Sequence, residues 1–179
     1  MAERRLLRMG NPLLFRRADA VTVFDTEPLE QLIHDLFDTM AARGGVGLAA
    51  PQIGVELRVI VFGMVSAARY PNAPPIPQTA LINPQLESID DAIDEGWEGC
   101  LSLPGMRGRV PRFRRIHYSG YGAHGKPIER EVDGFHARVV QHECDHLDGT
   151  LYPQRMRDLS GFGFEEELSL AGKLADLPC

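Results

Sequence analysis

Between positions 26 and 43, apolar residues return at helical spacing, and Leu29, Leu32, Ile33, Leu36, Phe37 and Met40 fall on one stripe. Asp25 or Thr26 can cap this predicted helix, Pro28 is tolerated in its first turn, and Gly44-Gly45 stops it. Further on the pattern shortens. Arg58 to Phe62 and Ala80 to Asn83 read as strands, and residues 110–121 and 127–132 as two more, joined by a turn at Gly122-Ala123-His124-Gly125. The stretch 66–78 between the first two strands carries prolines at 71, 74, 75 and 77 and reads as a surface loop. Asp133 is a suitable cap for a last long helix ending near Gly149. Residues 159–179 form a tail in which Glu165 to Leu177 is able to make a short helix. No repeat and no domain boundary interrupts positions 1–179, so a single domain is expected. Its predicted class is α+β, with antiparallel β-strands packed around the C-terminal helix and another helix near the N-terminus.

That C-terminal helix carries His142-Glu143-Cys144-Asp145-His146. Residues i and i+4 share a helix face, so both imidazoles can reach one divalent ion. Glu143 beside the first of them is placed to take a proton from a metal-bound water. The bland alternative is an amphipathic helix with two surface histidines, and a third ligand decides between the two. Downstream, Tyr152 stands where one zinc-protease pattern puts a third ligand, and Glu165, Glu166 and Glu167 read more simply as a solvated acidic run. Upstream, Cys100 lies in Glu98-Gly99-Cys100-Leu101-Ser102-Leu103-Pro104-Gly105, whose Gly and Pro mark a loop or turn. A lone Cys is usually a small buried hydrophobe, but a thiolate is a strong ligand for zinc or ferrous iron. Two His and one Cys would leave one position open for water, the arrangement of a catalytic site.

Three motifs in order, Gly45-Val46-Gly47-Leu48-Ala49-Ala50-Pro51-Gln52-Ile53-Gly54, Glu98 to Ser102 and Gln141 to His146, give the chain its resemblance to peptide deformylases. The similarity runs from about Leu6 to about Asp158. It implies removal of the formyl group from the N-terminal methionine of new polypeptides, with release of formate. It also implies that Cys100, His142 and His146 hold the metal and that Glu143 is the general acid and base. Gln52 and the backbone N–H of Leu101 become the donors to the oxyanion. The substrate, a formylmethionyl peptide, would run extended beside Gly47 and Gly105, with Val46, Phe135 and Val139 as candidates for the methionine pocket. Arg138 stands where the family often has an apolar pocket residue, and its stem could line the pocket while its charge reaches solvent. The resemblance favours Fe2+ in the cell, with Zn2+, Ni2+ or Co2+ as replacements. The rival readings are an internal-bond metalloprotease and a silent relative that only binds metal or nascent chains.

Composition changes this picture little. A chain of 179 residues with 44% hydrophobic and 25% charged content matches one ordinary globular domain. Net charge −6 argues against general DNA or RNA affinity, and no apolar run approaches the length of a membrane span. Three cysteines without disulfide-like spacing suit a reducing, cytoplasmic setting, in which Cys144 is expected buried and Cys179 mobile. The arginines at 4, 5, 8, 16 and 17 hint at a transit peptide, but Glu3 and the early start of the resemblance speak against a leader. The basic run Arg107, Arg109, Arg112, Arg114 and Arg115 reads first as a solvated strand face, and otherwise as a contact for a peptide carboxylate or ribosomal RNA. Trp97 is expected to be a packing anchor. Glu98 is either a partner that orients a ligand or an exposed loop carboxylate.

Overall fold

The stripe beginning at Leu29 becomes helix α1 (Glu27–Ala42), with Thr26 at its N-cap and Pro28 in its first turn. These coordinates are a computed structural model that describes residues 3–64 and 73–174. After α1 come the short strand β1 (Gly47–Ala49) and a 3-10 turn at Ala50–Ile53, then β2 (Val59–Met64), β3 (Ile76–Ser88) and β4 (Ile93–Cys100). Next are β5 (Leu103–Phe113), β6 (Arg115–Tyr121), β7 (Pro127–Asp133), helix α2 (Gly134–Leu147), β8 (Phe162–Phe164) and helix α3 (Glu165–Leu170). The strands form two antiparallel sheets, ordered β1-β2-β3-β6-β7 and β4-β5-β8.

Both faces of the larger sheet are covered, which explains why β2 is apolar throughout rather than alternating. Val59 and Val61 pack in one cluster with Leu29, Ile33 and Leu36 of α1, while Ile60 and Phe62 pack in another with Val139 and Val140 of α2. Leu36 is wholly buried, so truncating it to Ala should remove about 2–5 kcal/mol. α2 has the larger sheet on one side and the β4–β5 hairpin on another. Every residue from Ala137 to Leu147 is therefore buried, including polar ones that a surface helix would expose.

The predicted strand over 110–121 divides in two. Phe113 ends β5 in the smaller sheet and Arg115 starts β6 in the larger one. At the break the Gln141 side chain takes over the ladder bonds, accepting from the Phe113 N–H at 3.1 Å and donating to its carbonyl at 2.9 Å. The predicted loop over 66–78 is also shorter than expected. Ile76 to Gln78 belong to β3, where Ile76 pairs with Met64 and is buried. Most of its other residues, with Cys179 and the end of the tail, lie outside the described ones. Strands β1, β4 and β8 lie outside the segments whose pattern predicts strands, and β8 fastens the start of the tail to β5 at Met106–Gly108.

Candidate metal centre

The His pair lies on one face of α2 because four residues make just over one helical turn. Cys100 reaches the same point from the last position of β4, where a bulge at Gly99/Cys100 leads into the two-residue Leu101-Ser102 turn. The ligand atoms of Cys100, His142 and His146 lie within 4.8 Å of one another, with Cys100 Sγ 3.3 Å from His146 Nε2. Tetrahedral zinc at ligand distances of about 2.0–2.3 Å needs ligand-to-ligand separations of roughly 3.5 Å. The donor set and its spacing therefore fit one divalent cation. The Tyr152 ring stacks on His142 with centroids 6.1 Å apart.

Glu143 is buried beside these ligands, and its Oε2 has no hydrogen-bond partner among the described residues. Burial pushes its carboxyl up to about 7, against the pull of the neighbouring His142 charge. Gly47 in β1 makes room for this carboxylate. A Cβ at position 47 would collide with Glu143 Oε1 and approach its Cγ and Cδ to 2.7 Å. Gln52, on the 3-10 turn after β1, uses the two ends of its amide differently. Its Oε1 accepts from the Ala49 N–H at 2.9 Å, closing its own loop, while Nε2 donates to Ser102 Oγ at 3.1 Å and points to Cys100 Sγ at 3.5 Å. The Ser102 N–H also lies 3.4 Å from the Cys100 sulfur. A cleft of about 40 Å³ is lined by Val46, Gly47, Gln52, Cys100, Leu101 and Glu143, among others.

Glu98 is not an exposed loop carboxylate. It is 3% exposed, and its Oε2 lies 2.8 Å from His142 Nδ1. That contact leaves Nε2 of the ring for the metal. Arg112 grips the same carboxylate from two nitrogens at 2.8 and 2.9 Å and extends to Asp145, which Arg155 also holds. Burial would raise the Glu98 carboxyl, but Arg112 and His142 hold it well below the usual carboxylate range. The basic run is thus not one solvated face. Arg107 and Arg112 point inward, while Arg109 and Arg115 pair with Glu95 and Asp90 at the surface. Alternation alone would put Arg107 and Arg112, five positions apart, on opposite faces of β5, so the inward pair has no signal in the sequence pattern.

Arg138 corrects an expectation. Its charge does not reach solvent: the residue is 4% exposed, with Nη1 3.0 Å from Glu98 Oε1 and 2.8 Å from the Val110 carbonyl. Its other terminal nitrogen donates to the Asp94 carbonyl at 2.8 Å. Gly96 admits the guanidinium, since a Cβ there would come within 2.9 Å of Nη2. Phe135 and Val139 are buried in the core cluster of α2, against which Val46 packs, and are not among the residues lining the small cleft. Gly105, with φ +74, borders a larger neighbouring groove. Cys144 is buried as expected, and burial raises its thiol well above the usual range. Trp97 packs against Leu168 and Leu174.

The family model described as polypeptide deformylase matches residues 3–161. Over 91% of this chain and 93% of the relative, the sequence is 58% identical to a protein named peptide deformylase 1 from Bordetella pertussis. It is 57% identical to peptide deformylase 2 of Ralstonia nicotianae, over 92% of this chain and 93% of that one. Among solved structures, a Met-Ala-Ser-bound class I type b peptide deformylase from Acinetobacter baumannii is similar at TM-score 0.84 and 34% identity, covering 87% of this chain and 99% of that one. A peptide deformylase from Legionella pneumophila matches at TM-score 0.79 and 35% identity, covering 97% and 98%. A fold and a buried Cys-His-His centre of this kind, with relatives so similar over nearly their whole length, settle the family: the chain belongs to the polypeptide deformylases, metal-dependent hydrolases that remove the formyl group from new polypeptides.

Proposed function

We propose that Cys100, His142 and His146 hold one divalent cation in this chain and that Glu143, Gln52 and Leu101 carry the hydrolysis. The observation that supports this most directly is the unpartnered Oε2 of Glu143, buried in the cleft lined by two of the three ligands. A cation held by these three residues would supply Lewis acidity to the reaction. Glu143 accepts a proton from the attacking water and passes it to the amine as the C–N bond breaks, so formate and a free N-terminus leave. Gln52 Nε2 and the Leu101 N–H donate to the formyl oxygen as it gains negative charge. Ser102 and the Ala49 N–H keep the Gln52 amide aimed for that task. A thiolate and two imidazoles accept Fe2+, Zn2+, Ni2+ or Co2+, and Fe2+ is the proposed ion in the cell.

The substrate is a formylmethionyl peptide, as the Met-Ala-Ser held by the Acinetobacter relative suggests. Gly47 and Gly105 flank its extended backbone, and Val46 with the apolar Phe135 and Val139 forms the methionine side of the site. Such a substrate implies transient contact with ribosomes in the cytoplasm. No helix among the described residues is long and apolar enough to cross a membrane. A metalloprotease reading needs another third ligand, yet Cys100 is the only His, Cys, Asp or Glu that groups with the His pair among the described residues.

The test is formate release from formyl-Met-Ala-Ser by anaerobically purified, iron-loaded protein, with N-acetylated and unformylated peptides as controls. Release from the formylated peptide alone supports the assignment. No release from fully metallated protein refutes it.

A further inference from the structure

The segment from Arg4 to Met9 joins neither sheet, yet its backbone is fastened to both loops that build the site. Leu7 N–H donates to the Gln52 carbonyl at 2.8 Å, and Met9 N–H to the Ser102 carbonyl at 2.8 Å. At the other end Arg4 N–H donates to Thr39 Oγ1 of α1 at 2.9 Å. Between this segment, the end of α1 and the β4–β5 hairpin runs a groove of about 960 Å³, bordered by Arg5, Arg8, Arg43, Cys100, Leu101 and Gly105 among others. Cys100 and Leu101 also line the small cleft with Glu143, so the groove adjoins the candidate metal centre.

The charges along it are unevenly committed. Arg4 is paired with Asp35, Arg43 with Glu3, and Glu165 with Arg107. Arg5 and Arg8 are exposed and form no ion pair among the described residues. Two uncommitted guanidinium groups therefore overlook the groove of a chain whose net charge is −6. A concave wall focuses their field on whatever lies between. Among the described residues no aromatic side chain lines the groove and two glutamates do, which disfavours a nucleic-acid strand that would stack its bases and bring phosphates.

We infer that this groove is a specificity subsite for the polypeptide downstream of formylmethionine, and that Arg5 and Arg8 make it favour acidic over basic side chains there. The inference rests on the deformylase reading. An extended chain advances about 3.3 Å per residue, so the first residues after methionine pass from the cleft into the groove. The basic run on β5 does not serve this purpose, since Arg107 and Arg112 are buried in ion pairs.

The test compares kcat/KM for two C-terminally amidated peptides, formyl-Met-Ala-Glu-Glu and formyl-Met-Ala-Lys-Lys, at low and high salt. At low salt the unaltered enzyme should prefer the acidic peptide by about fivefold, the scale of exposed ion pairs, and salt should shrink the ratio. In the Arg5→Glu/Arg8→Glu double variant the ratio should fall below one, mainly through KM. If that variant misfolds or loses its metal, single Arg5→Gln and Arg8→Gln variants should each lower the ratio. A ratio of one in the unaltered enzyme, or one unchanged by the substitutions, overturns the inference. Formate release from neither peptide, nor from formyl-Met-Ala-Ser, refutes the deformylase reading instead.

Discussion

Two buried side chains show how little freedom the site allows. Among the described residues Glu143 touches no hydrogen-bond donor through Oε2, and only a glycine at 47 leaves it room. Glu143→Ala should therefore retain metal and lose roughly 10²–10⁴-fold in turnover; unchanged turnover in a metallated sample would remove its proposed role. Gly47→Ala should be nearly as damaging although alanine carries no chemistry, because its methyl group displaces the carboxylate. Activity and metal content measured on the same preparation separate that effect from unfolding. Arg138 acts at a greater distance. Arg138→Leu removes the donors that Glu98 and the Val110 and Asp94 carbonyls share. Breaking one partner out of a buried ion pair costs about 3–5 kcal/mol, and urea unfolding of the metal-free protein should show a loss of that order. A change below 1 kcal/mol would mean that Arg112 alone satisfies the carboxylate.

At the scale of elements, the helices were easier to read than the strands. A stripe such as Leu29-Leu32-Ile33-Leu36 repeats at only one period, and the His pair needed only four-residue spacing to be placed on one face. The β4–β5 hairpin escaped notice because its residues follow no clean alternation. Gly96 and Gly99 sit among three acidic residues, and the inward groups include Glu98, Arg107 and Arg112. Their burial is sensible only beside one another, and nothing local announces a partner 14 residues away. For the same reason the candidate ligands are legible as residue types, while the Glu98–Arg112–Asp145 network behind them is not. Cys100 owes its position to this hairpin. Cys100→Ser should weaken metal retention, and equilibrium dialysis against Zn2+ or Co2+ measures it. Full metal content with normal activity would eliminate the thiolate as a ligand.

Across the whole molecule the candidate centre bridges the two sheets. Cys100 comes from the smaller sheet and the His pair from the helix covering the larger one. A cation held by both should clamp the sheets together, adding RT ln(1 + [M]/Kd) to stability. Hydrogen exchange should then slow on metal loading around Gly99–Leu103 and at the His142 turn of α2. Equal exchange with and without metal would mean that the hairpin is held by its own contacts alone. The hairpin is also fastened from both directions along the chain: Met9 bonds to Ser102, and β8, as late as Phe164, pairs with β5. This sets a timetable for the enzyme's own biogenesis. Helix α1 and the β6–β7 hairpin can form as they leave the ribosome, but the candidate metal ligands span positions 100 to 146, and the strand that secures their hairpin comes later still. Each copy must be almost entirely synthesised before it can process any chain.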